Sequence, residues 1–332
     1  MNFNSATRLY IHEVALRDGL QIEPRFVPTA DKIALIDGLS RSGIRKIEAT
    51  SFTSPKAIPA LADAEAVLAG IERVAGVEYA ALVPNALGAA RALNAGVDEM
   101  NVVVSISRTH NLANLRMTPE QSLVNFAEIA RMAEGQRSVV NASLSTAFGC
   151  PFEGDISLAR VLEMVQRVHD LGIARITLCD TTGVANPTQV AAVCDAVLQS
   201  WPGLVFTAHF HDTRGMGLAN ALAALQSGIV RFDASLGGLG GCPFAPGASG
   251  NVCTEDLVHM LQAMGYDTGV DLAELTRLAG TLPGLVGHDV PGTVLKAGPS
   301  NRRHRVPEGL GERGTQQRLA GIDPARSVQA NA

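Results

Sequence analysis

The most constraining feature of this chain is a phrase that returns along it. A helical segment closes on glycine, a short β-branched run follows, and the run ends near a polar residue. Ser42-Gly43-Ile44 leads into Lys46-Ile47-Glu48, and Ala95-Gly96-Val97 into Met100-Asn101. Leu171-Gly172-Ile173 leads to Cys179-Asp180, and Ser227-Gly228-Ile229 to Asp233-Ala234-Ser235. Glycine closes a helix because it enters the left-handed conformation without steric penalty. The runs that follow suit strands buried on both faces, as in a parallel sheet.

Read at these intervals, the chain predicts strands near 8–14, 45–50, 77–83, 98–104, 138–144, 174–179, 204–210 and 231–235. Helices are expected near 29–42, 61–72, 86–95, 119–134, 157–171, 187–199, 216–227 and 253–264. Thr29, Thr118-Pro119-Glu120 and Asn186-Pro187 read as helix starts, with a capping side chain or a proline in the first turn. Eight βα units in about 260 residues predict an α/β fold of one kind, the closed parallel (β/α)8 TIM barrel. An open doubly wound sheet competes, but no GxGxxG follows the first strand. Leu272 to Leu282 reads as one short extra C-terminal helix. From Pro299 the composition turns to Arg, Gly, Pro and Gln. The expected division is therefore a single catalytic domain over 1–298 and a flexible, loosely ordered basic tail over 299–332, solvated rather than built to bind phosphate.

Composition excludes several classes. With 46% hydrophobic and 18% charged residues, the chain has the apolar surface that a disordered one lacks. Aromatics are only 4%, so the core must come from Ala, Val, Leu and Ile. A formal charge of −5 does not suggest a nucleic-acid binder. No run approaches the roughly 20 apolar residues of a membrane span, and Met1 to Arg8 lacks the pattern of a signal peptide. Five cysteines without a CxxC pair argue against a disulfide framework or a zinc knuckle and favour the reducing cytoplasm.

In such a barrel the chemistry sits at the C-terminal ends of the strands. The first strand brings Glu13, Arg17, Asp18 and Gln21 there, the second Glu48, the sixth Asp180, and the seventh His209 and His211. The glycine-rich loop after the eighth strand holds Cys242 and, further on, Asn251. His209 and His211 are two apart on a strand, so both side chains share a face. Two imidazoles with the Asp18 carboxylate and the Asn251 amide oxygen form a hard donor set that suits Mg²⁺ or Mn²⁺ better than structural zinc. Arg17 beside Asp18 reads on spacing alone as a turn ion pair, whereas at the catalytic mouth its guanidinium can hold an oxyanion. Glu48 and Asp180 either orient these groups or act as strand-end hydrogen-bond acceptors. Cys242 reads as a residue on a mobile lid or as a small residue in a tight turn. Cys150 is a second candidate for the mouth, whereas Cys179, Cys194 and Cys253 read as packing residues.

The segments Glu13 to Gln21 (EVALRDGLQ), Ile47 to Phe52 (IEATSF), His209 to Thr213 (HFHDT) and Gly238 to Asn251 (GLGGCPFAPGASGN) resemble hydroxymethylglutaryl-CoA lyase. The similarity spans about residues 8–285, and the glycine-cysteine loop is its most specific part. The resemblance implies that Asp18, His209, His211 and Asn251 bind a divalent cation, Mg²⁺ or Mn²⁺. It implies that Arg17 stabilises an enolate, that Cys242 and His209 take part in proton transfer, and that Gln21, Glu48 and Asp180 support the site. Where the family often carries a lysine after the Arg-Asp-Gly-Leu-Gln run, this chain has Pro24 and Arg25. The implied reaction is retro-Claisen-type cleavage of 3-hydroxy-3-methylglutaryl-CoA to acetyl-CoA and acetoacetate, usually by a dimer and in leucine breakdown. Alternatives are a lyase for citramalyl-CoA or a longer 3-alkyl analogue, a Claisen-condensing synthase or an aldolase of the same metal-barrel group, and a non-catalytic CoA or metal binder.

Overall fold

The computed structural model describes residues 8–241 and 250–305. Its strands, in chain order, are β1 Tyr10–Glu13, β2 Lys46–Ser51, β3 Glu78–Leu82, β4 Glu99–Ser105, β5 Val139–Ser145, β6 Arg175–Asp180, β7 Val205–Phe210 and β8 Arg231–Ala234. Each runs parallel to the next, and β8 pairs back onto β1, with Tyr10 opposite Arg231. The sheet is therefore the closed barrel that the intervals predict, not the open one.

The helices are α1 Thr29–Arg41, α2 Ala64–Gly70, α3 Ala86–Asn94, α4 Arg108–Leu115, α5 Pro119–Ala133, α6 Leu158–His169, α7 Pro187–Ser200, α8 Gly217–Ser227, α9 Thr254–Ala263, α10 Leu272–Ala279, α11 Leu282–Val286 and α12 Thr293–Ala297. Valines buried at spacings of three and four mark the faces turned to the sheet: Val161, Val165 and Val168 on α6, and Val190, Val193 and Val197 on α7. Thr118 opens α5 with a capping box, its hydroxyl accepting the Gln121 amide while the Gln121 side chain accepts the Thr118 amide. Asn186 caps α7 by accepting the Gln189 amide at 3.0 Å.

Two expectations are corrected. Thr29 is not a cap: it is the first residue of α1, and its hydroxyl donates to Asp63 Oδ2 at 2.7 Å. The single helix expected over Leu272 to Leu282 is two, because the chain breaks at Gly280-Thr281 and Pro283, which has no amide to donate, stands in the first turn of α11. Helix α4 was not expected, since eight residues after Ser107 are too few to show a period; the Ser107 hydroxyl caps it by accepting the His110 amide.

The strands are buried on both faces, but only one face is apolar. Along β5, Val140, Ala142 and Leu144 join the hydrophobic core, whereas Asn141, Ser143 and Ser145 are buried polar residues. Alternation along a strand sends one set to the helices and the other to the barrel axis. Polar groups on that axis are satisfied by one another. Lys46 Nζ donates to Glu99 Oε1 (2.8 Å), Arg175 Nη1 to Glu99 Oε2 (2.8 Å), and Asn141 Nδ2 to Asn101 Oδ1 (3.0 Å) and Thr177 Oγ1 (3.1 Å). Pairing is what makes such burial tolerable.

The barrel and its helices form one compact unit that ends at Ala297. Residues 298–305 fall in a second unit, where the Arg302 amide donates to the Pro299 carbonyl at 2.9 Å.

Candidate active site

Arg17 and Asp18 lie in a wide turn, Ala15–Gly19, that follows β1. The Val14 carbonyl accepts the amides of both, Asp18 at 2.7 Å. Glu13 fastens the turn from below. Its Oε1 accepts the amides of Ala15 and Leu236, both at 2.8 Å, and its Oε2 accepts the Thr254 hydroxyl. Glu13 thus binds the turn to the segments after β8 through both carboxylate oxygens.

The turn presents Arg17 as a fixed fork. Nε donates to Glu48 Oε2 and Nη1 to Asp18 Oδ1, each at 2.6 Å. Glu48 Oε1 in turn accepts Asn101 Nδ2 at 2.8 Å, so the fork rests on the polar axis of the barrel. Gln21 Nε2 donates to Asp18 Oδ1 at 2.9 Å. Burial opposes ionisation of Asp18, but Arg17, His209 and His211 outweigh it and hold its carboxyl below the ordinary value.

His209 ends the inner row of β7, and His211 stands just beyond the strand, bridged to Asn251. The bridge explains how a residue 40 positions on reaches the same place: the Asp212 amide donates to the Gly250 carbonyl and the Val252 amide to the Phe210 carbonyl. Two glycines permit the approach. A Cβ on Gly250 would lie 1.7 Å from the Gly238 carbonyl oxygen, and one on Gly240 (φ +110°) would lie 2.5 Å from Asn251 Nδ2.

Asp18, His209 and His211 each offer one ligand atom, and these atoms all lie within 4.8 Å of one another. Asp18 Oδ2 is 4.0 Å from His209 Nε2 and 3.9 Å from His211 Nε2. Asn251 Nδ2 donates to Asp18 Oδ2 at 2.8 Å and to the Leu239 carbonyl at 3.0 Å, which leaves Oδ1 buried with no hydrogen-bond partner among the described residues. Burial, reinforced by His209, pushes His211 down to about 4, so its ring is neutral and can ligate. An orphaned amide oxygen beside a carboxylate and two imidazoles is a fitting seat for a divalent cation.

His209 has a further partner that the sequence did not disclose. Its Nδ1 lies 3.3 Å from Asp233 Oδ2 on β8, and Asp233 Oδ1 lies 3.1 Å from His12 Nδ1. With Nδ1 donating to Asp233, the lone pair of Nε2 is free to ligate. Asn101 was missed for the same reason: both are interior strand residues whose partners come from other strands. The only signal was a charged or amide side chain inside an otherwise apolar run.

The remaining candidates separate. Asp180 uses Oδ1 for the Val184 amide (2.9 Å) and Oδ2 for the Ala185 amide (3.2 Å), holding the loop after β6, and burial pushes its carboxyl up to about 6. Cys150 is buried and its thiol donates to Ser107 Oγ at 2.9 Å. Cys179, Cys194 and Cys253 are buried. Cys242 lies outside the described residues.

The comparisons with known proteins agree in one direction. The HMGL-like family matches residues 8–282. The chain belongs to that family. This HMGL-like chain is 46% identical to a hydroxymethylglutaryl-CoA lyase of Bacillus subtilis, over 87% of its own length and 97% of the relative's. It is 40% identical to the (R)-citramalyl-CoA lyase of Chloroflexus aurantiacus, over 87% and 94% of the two chains. Among solved structures, an HMG-CoA lyase of Acinetobacter baumannii in complex with coenzyme A and 3-methylmalate is 53% identical, with a TM-score of 0.87 and coverage of 90% and 98%. The carboxyl transferase domain of Rhizobium etli pyruvate carboxylase, 18% identical with a TM-score of 0.64, shares the fold alone. No helix among the described residues is long and apolar enough to cross a membrane.

Proposed function

We propose that this chain is a divalent-metal-dependent lyase that cleaves 3-hydroxy-3-methylglutaryl-CoA to acetyl-CoA and acetoacetate. The observation that carries the reading is the arginine fork beside the ligand cluster: Arg17 shares the Asp18 carboxylate with His209 and His211. The relatives named above support the same substrate.

Asp18, His209, His211 and Asn251 would hold Mg²⁺ or Mn²⁺, which supplies Lewis-acid polarisation of substrate oxygens. Arg17 faces the charge that develops on the thioester oxygen as the carbon–carbon bond breaks, and because Glu48 and Asp18 already fix its guanidinium, little reorganisation is needed then. Gln21 shares the Asp18 carboxylate, and Asp180 supports the mouth of the site through the loop it holds. With one nitrogen on Asp233 and the other toward Asp18, His209 is better suited to ligation than to moving a proton. In this reading Asp18 takes the proton that the substrate hydroxyl loses, and Cys242 donates one to the enolate carbon. We read residues 1–298 as the catalytic domain and 299–332 as a tail outside it, and the enzyme as a cytoplasmic homodimer serving leucine breakdown.

The test is acetyl-CoA release from 3-hydroxy-3-methylglutaryl-CoA with Mg²⁺ or Mn²⁺ and then with chelator. Chelator-sensitive release is expected. The citramalyl-CoA lyase relative gives a second reading, so the same assay is run with citramalyl-CoA; faster release from that substrate would transfer the assignment to it.

A further inference from the structure

A cavity lies at the end of the barrel opposite the candidate active site. Lys46, Glu78, Glu99, Arg175 and Arg231 are the first residues of their strands, and all line a cavity of about 360 Å³. Asp18, His209 and His211 lie instead at or beyond strand C-terminal ends. Five Lys and Arg side chains line this lower cavity against two carboxylates, in a chain whose formal charge is −5.

The carboxylates are already used. Glu99 takes Lys46 and Arg175, and Glu78 takes Arg175 at 2.6 Å. Arg8, Arg45 and Arg231 have no carboxylate partner among the described residues. The Arg231 guanidinium is held over the Tyr10 ring, 4.7 Å from its centroid, which positions it without neutralising it. A concave, partly desolvated wall with an excess of cations concentrates counter-ions, and guanidinium groups match the paired oxygens of phosphate or carboxylate.

We propose that this lower cavity binds a small oxyanion carrying two or more negative charges. The probes are inorganic phosphate and tricarballylate, titrated calorimetrically into the full-length, Mg²⁺-loaded protein at low ionic strength. Arg45 and Arg231 line the lower cavity and lie outside the candidate active site, so loss of heat in their variants assigns it to the lower cavity whether or not the substrate assignment stands. Binding in the sub-millimolar range by either probe is expected, and phosphate alone or tricarballylate alone tells whether the natural ligand is phosphoryl or polycarboxylate. Arg45→Ala and Arg231→Ala should each weaken binding by about tenfold or more. Both should melt within a few degrees of the parent and retain its acyl-CoA cleavage. Absence of heat with both probes, or unchanged affinity in the folded double variant, would overturn the proposal.

Discussion

His209 Nδ1 and Asp233 Oδ2 lie 3.3 Å apart across the ladder between β7 and β8, where the two residues are register partners. Asp233 therefore decides which nitrogen of His209 carries the proton. Asp233→Asn offers Nδ1 an amide that can donate, which favours the tautomer with Nε2 protonated and unable to ligate. Mn²⁺ affinity should fall by about 10–100-fold. Calorimetric titration giving the parent affinity would remove Asp233 from the site.

Arg17→Lys keeps the charge and loses the fork. A lysine cannot make the Nε contact to Glu48 and the Nη1 contact to Asp18 together. The expected result is a kcat lower by about 10²–10³-fold, with Mn²⁺ binding little changed. If KM rose instead while kcat held, Arg17 would belong to substrate binding alone.

Cys242→Ser tests the proposed proton donor. A serine hydroxyl is a far weaker acid than a thiol, so turnover should fall by about 10²-fold or more while the metal still binds. Parent-like turnover would exclude Cys242 from the reaction.

Asp180 gives a prediction for stability rather than rate. Burial raises its carboxyl to about 6 in the folded chain. Between about pH 4 and that value the folded state keeps a proton that the unfolded state has released. The stabilising contribution is thus complete below the ordinary carboxylate pKa and is lost as pH rises through about 6, with a size of about 3 kcal/mol. Asp180→Asn loses one acceptor for the backbone amides and should be less stable throughout. Urea melts of the two metal-free proteins across this range should nonetheless show a shallower decline with pH in the variant. Parallel curves would mean that Asp180 does not titrate there.

Strands β2, β4, β6 and β8 were the most legible because each is announced twice, by the glycine that ends the preceding helix and by the β-branched residues that follow. The helix over Leu272 to Leu282 was misread because the same apolar spacing continues across Gly280, and only the three-dimensional path shows the break. His209, His211, Arg17 and Asp18 stood out because they are polar clusters beside strands. Asp233 and Asn101 did not, because a single polar residue in a strand acquires meaning only when barrel closure fixes its neighbour. Glu13 was legible as a strand-end carboxylate but not as the anchor of the turn, since Leu236 and Thr254 reach it from more than 220 residues away.

The alternation along the strands has a consequence for how such a molecule can change. Its oily layer lies outside the sheet, between strands and helices, while the axis is a lattice of amides and ion pairs from Arg175 up to Arg17. Folding rests on the first compartment and chemistry on the second. Interior residues can therefore be exchanged in matched sets without thinning the apolar layer, whereas a lone exchange strands its partner in the polar axis. New reactions on this scaffold should accordingly arise by paired replacements along the axis, donor with acceptor.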